Sequence, residues 1–197
     1  MTPAELARRL RSAPARAGAT RVLAVDGHSG TGKTTLAIRL GVELAAPVLP
    51  MDDLYPGWDG LRAGAAELIA GVLRPLRDGR PGRYRRWDWT RDAYAGTVDV
   101  PVVPVLVVEG AGCGVRAAAA YLSLLVWLDA PVAVRRERGL ARDGEGFRPH
   151  WDRWARQEEA LFAAQRTRER ADVLVDVLGD VLGDADARQP GGVGGGW

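Results

Sequence analysis

The sequence has few of the residues on which several classes of protein depend. Cys113 is the only cysteine among 197 residues, which excludes an internal disulfide framework. Two histidines beside that cysteine are too few for a typical structural zinc site. No apolar run approaches the roughly 20 residues that a membrane-spanning helix needs, and the basic N-terminus lacks the apolar segment of a signal peptide. We therefore expect a soluble, cytoplasmic protein with no membrane partner.

Lysine is nearly absent as well. Lys33 is the only one, and the other 26 of the 27 basic residues are arginine. These arginines are interspersed with 25 acidic residues and the net charge is only +2, so no nucleic-acid partner is expected. In a chain that uses arginine almost everywhere else, a retained lysine indicates chemistry that needs a compact ammonium group on a flexible side chain.

Short apolar runs rich in β-branched residues predict five strands that are covered on both faces. They lie at 21–26, 47–51, 102–108, 122–128 and 172–177. Helical patterns separate them, at 3–11, 33–45, 61–77, 114–120, 131–142 and 150–170. Strands that alternate with helices predict an α/β fold of three layers with a five-stranded parallel sheet.

Two segments lack a regular pattern. Residues 78–96 combine glycine, proline, arginine and aromatic residues, which predicts a long loop or the edge of a lid. Residues 183–197 end in a glycine-rich stretch and predict a flexible tail. The length suits one domain, which is expected to cover residues 1–182.

The segment from Gly27 to Thr34, GHSGTGKT, fits the pattern G-x-x-x-x-G-K-[ST] of a Walker A phosphate loop. It follows a predicted strand and begins a predicted helix, as this motif requires. Its glycines allow successive backbone N–H groups to point inward and bind an anion at a helix N-terminus. The residues predicted to bind ATP are Gly27, His28, Ser29, Gly30, Thr31, Gly32, Lys33, Thr34 and Thr35. Lys33 is expected to bridge the β- and γ-phosphates, and the Thr34 hydroxyl to bind Mg²⁺.

Acidic residues follow the second and third predicted strands. Asp52 and Asp53 come after one, and Glu109 follows four apolar residues, as in a Walker B metal site. The carboxyl ends of parallel strands meet at one edge of a sheet, so we expect these side chains near the phosphate loop. A carboxylate there can accept the proton of a hydroxyl group or bind a metal, although helix capping is an alternative role for each.

Together these motifs resemble the uridine kinase and phosphoribulokinase branch of P-loop kinases, which is also similar to bacterial pantothenate kinase. The resemblance covers roughly residues 20 to 177. DDLY at 52–55 matches that family's D-x-[FY]-Y-like motif, with Leu54 in the place of an aromatic residue, which implies that Asp52 is the catalytic base. VEG at 108–110 matches the family's V-E-G and implies a magnesium role for Glu109. The implied metal ligands are thus Thr34, Asp52 and Glu109.

The family's lid carries arginines that end in an Arg-Asp pair. The corresponding residues here are Arg135, Arg136, Arg138, Arg142 and Asp143, in a lid expected at about 135–150. Arg138 and Arg142 are the favoured candidates for neutralising charge on the transferring phosphoryl group. With so many arginines in the chain, a solvated surface position is the alternative for any one of them.

The family's substrate loop lies in the segment that here holds Tyr84, Arg86, Trp87 and Asp88, which are therefore candidate acceptor-binding residues. Asp53 and Tyr55 are further candidates, and Gln157 is another on its position alone, as are Trp58, Trp151 and Trp154. Aromatic walls with a carboxylate can hold a ring and its hydroxyl groups, which fits a nucleoside-like compound or another sugar or pantetheine-type alcohol. The family's usual His-Pro context in this region is absent here, and packing is an alternative role for Trp87 and Trp89.

These observations predict a magnesium-dependent kinase that transfers the γ-phosphoryl group of ATP to a hydroxyl group of a small molecule. The alternative is a P-loop ATPase or nucleotide switch that acts on a macromolecular partner through the segment rich in tryptophan and arginine. A module that binds nucleotide without catalysis is a further alternative. The sequence leaves open the acceptor, the choice between ATP and GTP, and whether the protein forms a homo-oligomer.

Overall fold

The computed structural model describes residues 1–143 and 148–177, without the side chains of 142 and 143. Its strands are β1 (Arg21–Gly27), β2 (Val48–Pro50), β3 (Gly82–Asp88), β4 (Ala93–Val100), β5 (Val105–Glu109), β6 (Leu124–Asp129) and β7 (Val173–Asp176). Five of them form a parallel sheet in the order β2-β5-β1-β6-β7. Each of these five matches one predicted run, so the predicted α/β fold with a five-stranded parallel sheet is confirmed.

The helices lie where the helical patterns predict them. They are α1 (Pro3–Ser12), α2 (Lys33–Leu44), α3 (Leu61–Glu67), α4 (Arg74–Arg77), α5 (Val132–Asp143), α6 (Trp151–Gln165) and α7 (Thr167–Arg170). A π-helical segment, Leu68–Leu73, joins α3 to α4 without a break. The predicted helix at 150–170 is instead divided, because Arg166 adopts a left-handed conformation (φ 49°) between α6 and α7. The predicted helix at 114–120 is a 3₁₀ helix, Arg116–Tyr121.

Alternating side chains of the central strands pack on opposite faces of the sheet. Leu23 and Val25 of β1 belong to a core formed with α1 and α2. Val22 and Ala24 belong to a larger core on the other face, which includes side chains of α3 and α6. Both faces of β1 are therefore covered, which explains its nearly continuous apolar sequence.

The prediction of a loop at 78–96 is wrong. Strands β3 and β4 form an antiparallel hairpin that is a two-stranded sheet of its own. Most of its side chains are exposed, and a register shift between Arg85 and Trp87 interrupts the pairing. A ribbon that buries so little apolar surface has only a weak alternation of apolar and polar residues, so the period-2 signal of a strand is lost.

Some predictions fall on residues beyond the structure's description. The predicted tail at 183–197 lies outside the described residues, as do positions 144–147 of the predicted lid. The extent of the domain stays a prediction. Within the described ranges, no helix has both the length and the apolar character needed to cross a membrane.

Leu10→Ala tests the packing of α1 on the sheet. Leu10 is fully buried in the core shared with α2, so its truncation is expected to lower the free energy of unfolding by about 2–5 kcal/mol. Arg9→Ala, on the exposed side of the same helix, is the control and should change it by less than about 0.5 kcal/mol. Equal midpoints for the two variants in urea denaturation would contradict this packing.

Candidate active site

The register of the parallel strands aligns three loops at one edge of the sheet. Glu109, the last residue of β5, pairs with Pro50 of β2 on one side and with Val25 of β1 on the other. Two residues beyond these partners come Asp52 and Gly27, respectively. The predicted phosphate loop and the predicted acidic residues therefore lie at neighbouring strand ends.

The phosphate loop closes on one of its own carbonyl groups. The Lys33 ammonium group and the Thr31 hydroxyl both donate to the backbone oxygen of His28, each at 2.8 Å. Gly32 has a positive φ of 90° and directly precedes α2, a conformation that glycine adopts at little cost. The N-terminal amides of α2 thus begin at the loop, as an anion site of this kind requires.

The Thr34 hydroxyl donates a hydrogen bond of 3.1 Å to the carboxylate of Glu109. Glu109 is buried, at 4% exposure. A hydroxyl and a carboxylate are oxygen ligands of the kind that Mg²⁺ prefers, with its other positions taken by water or phosphate oxygens. The pair therefore fits magnesium, although the described residues contain no cluster of three or more His, Cys, Asp or Glu side chains suited to a metal.

Asp52 and Asp53 lie in a 3₁₀ turn, Met51–Asp53, that directly follows β2 and that we call the acidic turn. Two hydrogen bonds tie this turn to the hairpin: Tyr84 donates its hydroxyl to the Asp53 carboxylate (3.1 Å), and Trp89 donates its indole N–H to the backbone oxygen of Asp52 (2.9 Å). Burial raises the pKa of Asp53 above its ordinary value, although the Tyr84 hydrogen bond and the Arg86 charge oppose that change. The Asp52 side chain is exposed.

The structure does not give all the predicted acceptor residues the same surroundings. Asp53 of the acidic turn lies close to Tyr84 and Arg86 of the hairpin. Asp88 instead accepts the backbone N–H groups of residues 90 and 91 and so stabilises the hairpin turn. The indole N–H of Trp87 is buried and has no hydrogen-bond partner within the described part of the chain.

Two other predicted acceptor residues are engaged by the protein itself. Tyr55 is 1% exposed and donates its hydroxyl to the backbone oxygen of Ala111 (2.7 Å). This burial disfavours the predicted contact with substrate. The Gln157 amide donates to the backbone oxygen of Trp58 (2.7 Å), so it holds the loop that follows the acidic turn.

Aromatic rings form a wall between that loop, the hairpin and α6. Trp58 stacks on His150, with ring centroids 4.4 Å apart and planes at 11°. The ring centroid of Trp58 lies 4.8 Å from that of Trp89 in the hairpin and 6.3 Å from that of Trp154 in α6. We call Trp58, Trp89, His150 and Trp154 the aromatic wall.

The arginine-rich helix α5 begins directly over the phosphate loop. The backbone oxygen of Arg135 lies so close to Gly30 that a Cβ atom there would overlap it. The Arg135 side chain turns back to the carbonyl of Ala130 (3.0 Å). Arg138 is exposed and lies one turn further along the helix. The side chain of Arg142, the other favoured lid residue, lies outside the described residues.

Sequence reasoning missed Asp26, the penultimate residue of β1. Its fully buried carboxylate accepts the backbone N–H groups of Gly27 (2.7 Å), Gly112 (2.9 Å) and Gly114 (2.8 Å). Burial raises its pKa to about 6, although these hydrogen bonds and the Lys33 charge favour the ionised form. The available signal was a carboxylate within an apolar strand, immediately before the glycine-rich motif.

Glu158 was missed as well. It is 1% exposed and accepts the backbone N–H (2.8 Å) and hydroxyl (2.7 Å) of Ser29 in the phosphate loop. The signal lies in the helical period, because the buried residues of α6 are Trp151, Trp154, Glu158, Leu161 and Phe162. A charged residue on the buried face of a helix needs polar partners.

Solved structures with the same fold include two proteins described as kinases. One is a possible uridine kinase from Bacillus stearothermophilus, with a TM-score of 0.65 and 22% identity over 88% of this chain and 97% of that chain. The other is a candidate fructose transport system kinase from Silicibacter sp. TM1040, with a TM-score of 0.58 and 23% identity over 89% of this chain and 99% of that chain. The resemblance predicted from the sequence is thereby confirmed at the level of the fold. No protein-family model and no curated protein matches the sequence.

Gly30→Ala tests the close approach of α5 to the phosphate loop. Gly30 has a φ of 80°, and a Cβ atom would also overlap the Arg135 carbonyl oxygen. The matched control is Gly79→Ala, where φ is 72° but nothing lies within 4 Å of the added atom. Urea denaturation should show a loss of roughly 1–2 kcal/mol for the control and about 2 kcal/mol more for Gly30→Ala. Equal losses would mean that α5 does not contact the loop.

The pKa of Asp26 predicts a pH dependence of stability. Its folded-state pKa, about 6, lies above the ordinary value of 3.8, so the folded protein binds this proton more tightly. The resulting stability is present at low pH and is lost as the pH rises towards 6. From pH 4 to pH 7, the free energy of unfolding of the wild type should fall by about 2 kcal/mol relative to Asp26→Asn.

The control for this experiment is Asp92→Asn, at the exposed hairpin turn, which makes the same chemical change in solvent. Denaturant titrations of all three proteins across this pH range measure the effect. A constant difference between the wild type and Asp26→Asn would refute the raised pKa.

Proposed function

We propose that this protein is a magnesium-dependent kinase that transfers the γ-phosphoryl group of ATP to a hydroxyl group of a small molecule. The observation that carries the proposal is the contact between Thr34 and Glu109 at the phosphate loop, with Asp52 following the neighbouring strand. Phosphoryl transfer needs a phosphate cradle, oxygen ligands for a metal and a carboxylate near the acceptor, and these residues supply all three at one sheet edge.

In this proposal the phosphate loop binds and orients ATP. Residues 27–35 surround the phosphates, which accept hydrogen bonds from the backbone N–H groups at the start of α2, and the positive end of that helix favours their negative charge. Lys33 releases the His28 carbonyl oxygen to bridge the β- and γ-phosphates. Thr34, Glu109 and Asp52 would hold Mg²⁺, which when bound neutralises phosphate charge.

Asp52 is proposed as the general base, because its exposed carboxylate can meet an incoming hydroxyl group and accept its proton. Asp53 is proposed to hold the acceptor through a hydrogen bond, with Tyr84 and Arg86 beside it. Arg138 on α5, and Arg142 with it, are proposed to neutralise charge that develops on the transferring group.

The aromatic wall supports a ring-bearing acceptor. Its rings stand beside the acidic turn, and Trp89 donates its indole N–H to the backbone oxygen of Asp52. Flat aromatic surfaces next to carboxylates suit a compound that combines a ring with hydroxyl groups, such as a nucleoside. That two similar structures are described as kinases supports phosphoryl transfer over the nucleotide-switch alternative.

The test is ATP consumption in the presence of Mg²⁺, with and without a pooled set of nucleosides, vitamins and sugar alcohols. We expect acceptor-dependent loss of ATP, and mass spectrometry should find one acceptor that has gained a phosphoryl group. Loss of ATP that no acceptor alters would instead favour the ATPase or switch. Binding of ATP without turnover would favour a nucleotide-binding module.

With the acceptor identified, Asp52→Asn is expected to lower kcat by about 10²–10⁴-fold, because an amide cannot accept the hydroxyl proton. Asp53→Asn should mainly raise the KM for the acceptor, since Asp53 is proposed to bind rather than to transfer a proton. Steady-state kinetics of the two variants separate these roles. Wild-type turnover by Asp52→Asn would remove its assignment as the base.

A further inference from the structure

Glu158 is a buried acid with no part in the chemistry proposed above. It lies in the middle of α6 among the apolar side chains of Trp154, Leu161 and Phe162 and is 1% exposed. Burying a carboxylate costs several kcal/mol unless hydrogen bonds or opposite charges compensate. Its partners therefore indicate what the residue is for.

Those partners belong mainly to the first half of the phosphate loop. One carboxylate oxygen accepts the backbone N–H (2.8 Å) and the hydroxyl (2.7 Å) of Ser29 and the indole N–H of Trp154 (2.9 Å). The other oxygen lies 3.4 Å from Nδ1 of His28. His28 is held on its other sides by the rings of Trp127 and Phe162, whose centroids lie 5.7 and 4.9 Å away.

The electrostatics keep this carboxylate ionised. Burial acts to raise the pKa of Glu158, but the hydrogen bonds from His28 and Ser29 and the charge of Lys33 outweigh it, and the pKa lies below its ordinary value. Hydrogen bonds to an ionised acceptor are roughly twice as strong as those between neutral groups. The link from α6 to the loop is thus a strong one.

These contacts divide the loop into two parts. His28 and Ser29 are fixed from outside by Glu158, whereas Gly32 ends the loop at the start of α2, where the first N–H groups of the helix can bind an anion. The anchored part includes the carbonyl of His28, to which Lys33 and Thr31 donate. A shift of His28 and Ser29 would therefore move the Lys33 ammonium group and change the shape of the loop at the same time.

We propose that Glu158 is a positioning residue that holds the phosphate loop ready to bind a nucleoside di- or triphosphate, an inference that rests on the proposed function. It acts through Ser29 and does not touch the nucleotide. The same helix contributes Trp154 to the aromatic wall and holds the backbone of Trp58 through Gln157. Helix α6 therefore contacts both the phosphate loop and the aromatic wall.

The experiment is calorimetric titration of the full chain with MgADP. Glu158→Gln keeps the size of the side chain but removes its negative charge, and we expect this variant to bind MgADP at least tenfold more weakly than the wild type. The matched control is Glu159→Gln, the same substitution one residue further along at an exposed position of α6, which should leave the affinity unchanged. Equal affinities for Glu158→Gln and the wild type would overturn the inference.

A double-mutant cycle separates positioning from a general loss of stability. If Glu158 acts through Ser29, then Ser29→Ala should weaken MgADP binding in the wild type and add little in Glu158→Gln. Effects that simply add would overturn the proposal, as would a lower melting temperature with unchanged affinity. Should Glu158→Gln fail to fold, Glu158→Asp keeps the charge but shortens the reach to Ser29, and wild-type affinity in that variant would overturn the proposal equally.

The same titrations distinguish this inference from the proposed function. A wild type that binds neither MgADP nor MgATP would refute the nucleotide site and the role of Glu158 with it. A wild type that binds MgADP, with Glu158→Gln binding as tightly, would refute the role of Glu158 and leave the kinase proposal standing.

Discussion

The hydrogen bonds of one buried carboxylate, that of Asp26, join the two loops from which the candidate site is built. One bond reaches Gly27 at the start of the phosphate loop, and two reach Gly112 and Gly114 in the loop that leaves β5 beside Glu109. The ladder between β1 and β5 aligns the strands but ends where the loops begin. The hydrogen bonds of Asp26 hold the two loops side by side beyond the end of that ladder, which keeps Glu109 within hydrogen-bonding distance of the Thr34 hydroxyl.

Around this edge, three parts of the candidate site are each held by a second element. Helix α6 holds the phosphate loop through Glu158 and the loop after the acidic turn through Gln157. The hairpin holds the acidic turn through Tyr84 and Trp89. Side chains fixed in this way lose little conformational entropy when a ligand binds, so more of each contact contributes to affinity.

The parallel sheet and the strand-loop-helix unit that carries the predicted phosphate loop were predictable because each has a strong local signal: apolar runs for the strands, and the glycines with Lys33 for the loop. The convergence of Asp52 and Glu109 followed from parallel topology alone. The hairpin was not predictable, because its exposed strands bury too little to impose a clear alternation. Contacts that depend on tertiary structure were missed for a different reason: the sequence around Tyr55 does not reveal that its hydroxyl donates to the backbone oxygen of Ala111, which is distant in the chain.

The hairpin has a consequence for how proteins with this architecture diversify. Because β3 and β4 pair with each other in a sheet of their own, a change in their length or exposed residues leaves the ladder of the parallel sheet undisturbed. The strands that carry the predicted phosphate loop and the hairpin proposed to bind the acceptor are therefore separate segments of the chain. If the hairpin binds the acceptor as proposed, mutations in a segment of fewer than twenty residues can alter acceptor choice while the parallel sheet keeps its pairing.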